Sequence, residues 1–218
     1  SFKTAQSFIK TADYIFLTLG TAFVYTWKET GEVVANCHKI PAKNFTLRRL
    51  TSTEIVQQLQ QSIADIQQVN PKVKFVFTVS PIRHWKNGAV ENQLSKATLL
   101  LAIHELMAQL TGIFYFPAYE IMMDDLRDYR FYATDMLHPN ETAIEYIWQQ
   151  FKNTWFDDST EQLLQKIQKV KQAAQHRPRH PKSKQHLQFI QKQKKLIEQL
   201  QKDYTYLDFK TELSLLAS

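Results

Sequence analysis

Apolar residues follow two rhythms along this chain. Three short runs, residues 14–19, 74–79 and 113–116, are almost continuously apolar, and each is closed by a turn residue: Gly20, Ser80-Pro81 and Pro117. Runs of that length, rich in β-branched and aromatic side chains, predict strands buried on both faces, as in a parallel sheet. The segments between them repeat at helical spacing. Thr51 with Glu54 three residues on forms a capping-box signature, Ile55, Leu59, Ile63 and Ile66 then follow along one face, and Asn70-Pro71 stops the helix. A Leu- and Ala-rich helix is expected from about 92 to 110, and another after Asn140, where Ile144, Ile147 and Phe151 lie one turn apart.

Strands alternating with helices place the chain in the α/β class, with a parallel sheet flanked by helices. A doubly wound sheet usually has about five strands, and only three are legible. The expectation is a fragment that lacks the first strands, in keeping with a chain that starts at Ser1 without a methionine. Any targeting segment upstream would then be invisible.

From Asp157 onward the composition shifts to Gln, Lys and Leu. Two helices, about 159–175 and 184–203, flank the breaker from His176 to Pro181. Leu163, Leu164, Ile167 and Val170 in the first, with Leu187, Ile190, Ile197 and Leu200 in the second, leave narrow apolar stripes. An antiparallel helical hairpin, packed on the domain or on another copy, suits them. The expected division is a domain over 1–156 and a helical extension over 157–218.

Charge separates along the same line. Of 27 Lys and Arg and 21 Asp and Glu, residues 1–160 hold 15 and 16, whereas residues 161–218 hold 12 and 5. A basic tail raises nucleic acid or anionic lipid as partners. It has few aromatics for base stacking before Tyr204 and only narrow apolar stripes, so a solvated hairpin capable of self-association is expected instead. No apolar run is long enough to cross a bilayer, and the first residues lack a signal peptide's apolar core. The single cysteine, Cys37, excludes an internal disulfide framework and fits a reducing, cytoplasmic compartment.

Ligands of doubly wound sheets bind beyond the carboxyl ends of the strands, which directs attention to the residues after each run. After the first come Gly20, Thr21 and Ala22, then a hairpin-like excursion through Thr30-Gly31 to Asn36, Cys37 and His38. After the second come Ser80, Pro81, Ile82, Arg83 and His84; beyond the third lie Glu120, an Asp/Arg-rich stretch from Asp124 to Arg130, and finally Asp135 and His138. The last pair carries the chemistry. An imidazole takes a proton from a hydroxyl near neutral pH, while a carboxylate holds the ring in one tautomer and stabilises its charged form. The same spacing also describes a helix N-cap with a surface histidine.

Other candidates have plainer readings beside the chemical one. Arg83 and His84 follow a strand directly and suit either substrate binding or a salt-bridged loop. Ser80 precedes a proline and lacks the nucleophile-elbow glycines, so a structural role is expected. Cys37 and His38 are adjacent on an extended segment and point to opposite faces, which favours a buried cysteine over a nucleophilic pair. Asp124, Asp125 and Asp128 have Arg127 and Arg130 as partners, and His176, His180 and His186 are irregularly spaced. No metal and no cofactor are expected.

These stretches together resemble a known family, the GSCFA domain proteins of bacteria, which are similar to the SGNH (GDSL-like) hydrolases. The resemblance covers about residues 8–155 and rests on Thr18 to Thr21, Asn36 to Lys39, Val79 to His84, Glu91 to Lys96, Tyr129 to Tyr132 and Asp135 to Pro139, in that order. It implies a flavodoxin-like sheet and serine-dependent hydrolysis of an acyl ester, small or carried on a glycan. His138 is then the general base and later the general acid, with Asp135 orienting it. The Gly-Ser-Cys-Phe-Ala motif that would hold the nucleophile is absent from the chain, which as a fragment is expected to be inactive. The superfamily's Gly-x-Asn, whose asparagine donates to the oxyanion, is replaced here by Gly20-Thr21-Ala22. Substitute oxyanion or substrate-binding groups are sought among Gly20, Thr21, Asn36, His38, Arg83 and His84. The competing expectation is a non-catalytic adaptor or glycan-binding module that keeps the fold and associates through its basic tail.

Overall fold

Each of the three apolar runs forms a strand, and the three align in parallel. The computed structural model describes residues 2–35, 39–176 and 183–216, and the chain divides into two units, Ser1–Gln149 and Gln150–Ser218. In the first unit a short helix α1 (Phe2–Ile9) precedes β1 (Tyr14–Leu19), then come β2 (Phe23–Trp27), β3 (Val33–Val34), β4 (Phe45–Arg49) and α2 (Ser52–Val69). β5 (Lys74–Val79), α3 (Gly88–Gln109), β6 (Ile113–Tyr115), α4 (Ala118–Asp124) and α5 (Glu141–Trp155) follow, α5 running across the boundary between units.

The parallel sheet has the order β1-β5-β6, with Ile15 beside Phe75 and Ile113, and Leu17 beside Phe77 and Tyr115. Strand side chains alternate between faces, so these positions share one face. It packs on Ile55, Val56 and Ile63 of α2 and on Leu99, Ala102, Ile103 and Leu106 of α3. Phe75, Phe77 and Val79 of the central strand are fully buried. Each such side chain contributes about 1.5–3 kcal/mol by leaving water.

The ends of α2 follow the sequence closely. Thr51 Oγ1 accepts from the Glu54 N–H (3.2 Å), and the Glu54 carboxylate accepts from the Thr51 N–H (2.8 Å) and pairs with Arg48 (2.8 Å). At the far end Asn70 donates its side-chain N–H groups to Ile9 O and Ala12 O, which ties the end of α1 to that of α2. α3 departs from expectation by starting at Gly88, one turn before Asn92. Asn87 at its N-cap makes no side-chain cap bond, and Gly88 takes the left-handed φ of 85°. No capping signature marks that turn in the sequence.

The excursion after β1 is a second, antiparallel sheet of order β3-β2-β4, in which Phe23 to Trp27 pair along their whole length with Phe45 to Arg49. The candidates Asn36, Cys37 and His38 lie outside the described residues, as does the linker 177–182. The second unit contains α6 (Asp158–Gln175), α7 (Lys184–Asp203) and a further short helix α8 (Lys210–Leu215) that the sequence pattern does not announce. Leu163, Val170, Ala174, Ile197, Leu200, Phe209 and Leu216 form its core. Asp157 and Ser183 cap α6 and α7 by accepting from Thr160 N–H (2.7 Å) and His186 N–H (3.2 Å). Among the described residues no helix is long and apolar enough to cross a membrane.

Candidate functional site

A tight turn after α4 builds the acid and base. Met136 sits in the left-handed region (φ 59°), and this folds the chain so that one oxygen of Asp135 accepts from the N–H groups of Leu137 (2.9 Å) and His138 (3.0 Å). The other oxygen meets His138 Nδ1 at 2.6 Å. An ionised carboxylate only accepts, so Nδ1 carries the proton and Nε2 is left as the basic nitrogen. The two N–H groups, with the ring beyond them, hold the Asp135 carboxyl down at about 2, so it is charged throughout the neutral range. Further bonds secure the turn: Ala133 N–H to His138 O (2.8 Å), Asn140 N–H to Phe131 O (2.9 Å) and the Asn140 side chain to Arg130 O (2.7 Å).

Arg83 joins this turn to the end of β5. Its N–H donates to Leu137 O (3.3 Å), and its guanidinium lies over the rings of Tyr132 (4.3 Å), Tyr129 (5.3 Å) and Trp85 (5.9 Å). A cation over aromatic faces is attracted by their quadrupoles. In this arrangement Arg83 holds the loop that presents His138. The next residue, His84, lays its ring against Gly20: a Cβ built on Gly20 would stand 3.3 Å from His84 Nε2. Burial, Lys96 and His138 lower the pKa of His84, in that order, which favours its neutral imidazole. The strand ends of β1 and β5, His84 and the Asp135–His138 turn thus lie near one another.

α3 is bonded to the same strand ends. Asn92, Ser95 and Lys96 stand three and four residues apart, on one helical face. Asn92 Oδ1 accepts from His84 N–H (2.9 Å), and Ser95 Oγ accepts from Ala22 N–H (2.7 Å) and shares a hydrogen bond with Thr21 Oγ1 (3.1 Å). Lys96, 1% exposed, donates to Gly20 O (2.7 Å) and Ser80 O (2.6 Å), and so joins the carboxyl ends of β1 and β5. Burial lowers its pKa to about 8. Beside it, Tyr119 hydrogen-bonds to Gln93 and Tyr115 donates to the Glu120 carboxylate; burial, and after it that bond, pushes the Tyr115 pKa far up.

Of the residues expected from sequence, the structure brings Gly20, Thr21, Arg83, His84, Asp135 and His138 together. Asp128 pairs with Arg130 (3.0 Å), and Asp125 accepts from the Tyr146 hydroxyl (3.0 Å). Among the described residues no three His, Cys, Asp or Glu side chains converge as metal ligands would. Sequence reasoning assigns no role to Asn92, Ser95 or Lys96. A signal is present all the same: the apolar face of α3, Leu99, Ile103 and Leu106, extended back by one and two turns, lands on these three polar residues.

Comparison with known families matches residues 1–151 to the GSCFA family and residues 167–218 to the C-terminal domain of GSCFA domain proteins. No curated protein and no solved structure matches the chain.

Proposed function

From the premise that this chain belongs to the GSCFA family, we propose that it carries the acid–base half of an SGNH-like serine ester hydrolase. The observation that supports this reading most is the Asp135–His138 pair itself. Its carboxylate is held charged by two backbone N–H groups, its imidazole is fixed in the tautomer that leaves Nε2 basic, and the turn is tied to the segment after β5 by the bond from Arg83 N–H to Leu137 O. His138 Nε2 takes the proton of a serine hydroxyl as the oxygen attacks an acyl carbonyl, then returns it to the departing alkoxide. Asp135 remains ionised and stabilises the imidazolium. In this reading the attacking serine is the one that the family's Gly-Ser-Cys-Phe-Ala motif would supply.

The test is hydrolysis of a chromogenic acetyl ester by a chain extended upstream through the Gly-Ser-Cys-Phe-Ala segment. His138→Ala is expected to lower turnover roughly 10²–10⁴-fold and Asp135→Asn to lower it strongly as well. Wild-type turnover in His138→Ala would sink the proposal. A second reading, a glycan-binding module, draws on the exposed aromatic cluster of Trp85 and Tyr129 around Arg83, since such amphipathic rings offer flat apolar faces with polar rims. It requires that saccharide binding survive His138→Ala and vanish with Trp85→Ala.

A further inference from the structure

α7 buries one side and carries a regular polar line on the other. Ile197 and Leu200 belong to the core of the second unit, with Ile190 and Leu196 partly buried beside them. In steps of three and four residues, Lys184, Gln188, Gln191, Lys195, Gln199 and Lys202 run along the opposite side of the helix. All six are exposed. The line is about 27 Å long at about 1.5 Å per residue, and it holds no apolar, aromatic or acidic side chain.

Five lysines outnumber two acids on α7, Glu198 and Asp203. Among the described residues none of these lysines lies within ion-pair distance of a carboxylate, and the one ion pair within the second unit joins Lys210 to Asp208. Asp203 is held instead by the Gln199 amide, which donates to both of its oxygens (2.9 and 2.8 Å). Lys192 and Lys195 stand one turn apart, a like-charge spacing that weakens a helix. The ammonium groups of α7 thus cost the fold a little and make no bond within it.

The chemistry of the line selects among anions. A bilayer surface calls for apolar side chains that enter the headgroup boundary, and nucleic-acid bases call for aromatic platforms; the line offers neither. α7 also has no arginine, whose planar fork grips a phosphate at two points. Along the helix axis Lys184 and Lys195 are about 16 Å apart, and Lys195 and Lys202 about 10 Å. Phosphates on a nucleic-acid strand come every 3.4 Å or so, roughly three to five times more densely. Ammonium groups separated by carboxamides suit a polymer whose anions are separated by hydroxyls, because a carboxamide both donates and accepts.

We propose that the exposed face of α7 is a docking surface for an anionic polysaccharide, with Lys184, Lys195 and Lys202 pairing with uronate carboxylates and Gln188 and Gln191 bonding to the hydroxyls between them. Docking makes and breaks no covalent bond. That the same polymer carries the acyl ester rests on the hydrolase reading; the docking itself does not.

A fluorescent oligogalacturonate serves as the probe, titrated with residues 1–218 and followed by anisotropy, beside an uncharged dextran oligomer and a duplex DNA of equal total charge. Saturable binding of the oligogalacturonate is expected, weakening steeply between about 50 and 200 mM salt, with none of the dextran and weaker binding of the DNA. Lys184→Gln, Lys195→Gln and Lys202→Gln together keep good helix formers at exposed positions and are expected to weaken oligogalacturonate binding about tenfold, the effect of three exposed ion pairs. The same loss of charge at exposed positions of the first unit, Lys10→Gln with Lys43→Gln and Lys72→Gln, is expected to change it less than about twofold. Binding that does not saturate, dextran or DNA that binds as tightly, or equal weakening in the two triple variants would overturn the proposal. The three probes on the wild type are decisive if a variant fails to fold. His138→Ala, which removes the base of the hydrolase reading, is expected to leave this binding unchanged, so the two readings fail independently.

Discussion

A buried lysine without a carboxylate is costly, and Lys96 shows the cost as a pKa lowered from 10.5 to about 8. Between those two values the unfolded chain holds the proton and the folded one has released it, so stability rises as pH climbs from 8 toward 10.5. Tyr115 acts in the opposite direction above about 10, because its raised pKa makes the folded state keep a proton that the unfolded chain gives up. Urea unfolding should therefore show a gain of about 1–3 kcal/mol between pH 8 and 10, at roughly 1.4 kcal/mol per pKa unit. Lys96→Met should flatten that rise, and an equal rise in the variant would remove Lys96 as its source. The lysine's identity is visible in the sequence, but its burial is not, since a charged residue near a helix start is ordinarily solvated.

At the scale of elements, legibility depends on whether local chemistry marks the boundary. α2 is marked at both ends, by the Thr51–Glu54 box and by Asn70-Pro71, and it runs between them. Thr51→Ala removes the Oγ1 that accepts from Glu54 N–H and should lower thermal stability by about 0.5–2 kcal/mol. α3 has no such mark, and its first turn escapes a reading of the sequence. β2 and β4 escape it for a different reason: both are half-exposed, lie in a small sheet and have no sustained alternation to announce them. α8 has six residues, too few for a helical period to emerge.

On the scale of the molecule, the largest cluster of buried side chains in the first unit centres on β5, which contributes Phe75, Phe77 and Val79 between β1 and β6. Phe77→Ala should cost about 3–5 kcal/mol in a denaturation experiment, because the ring is fully buried between two helices and two strands that cannot all close around the void. Ser80 to His84 come directly after that strand, so its packing also fixes where Arg83 and His84 emerge. Sequence by itself determined the three parallel strands and the longer helices, the α/β class, and the Asp135–His138 pair. In each case the cause is local: burial imposes a period on neighbouring residues, and Asp135 is only three residues from the ring it orients. Only the tertiary structure decided what surrounds that pair. Lys96 reaches Gly20 across 76 positions and Ser95 reaches Ala22 across 73. Pairings at that separation are set by how α3 lies across the strand ends, a consequence of the whole core that no short stretch of sequence contains.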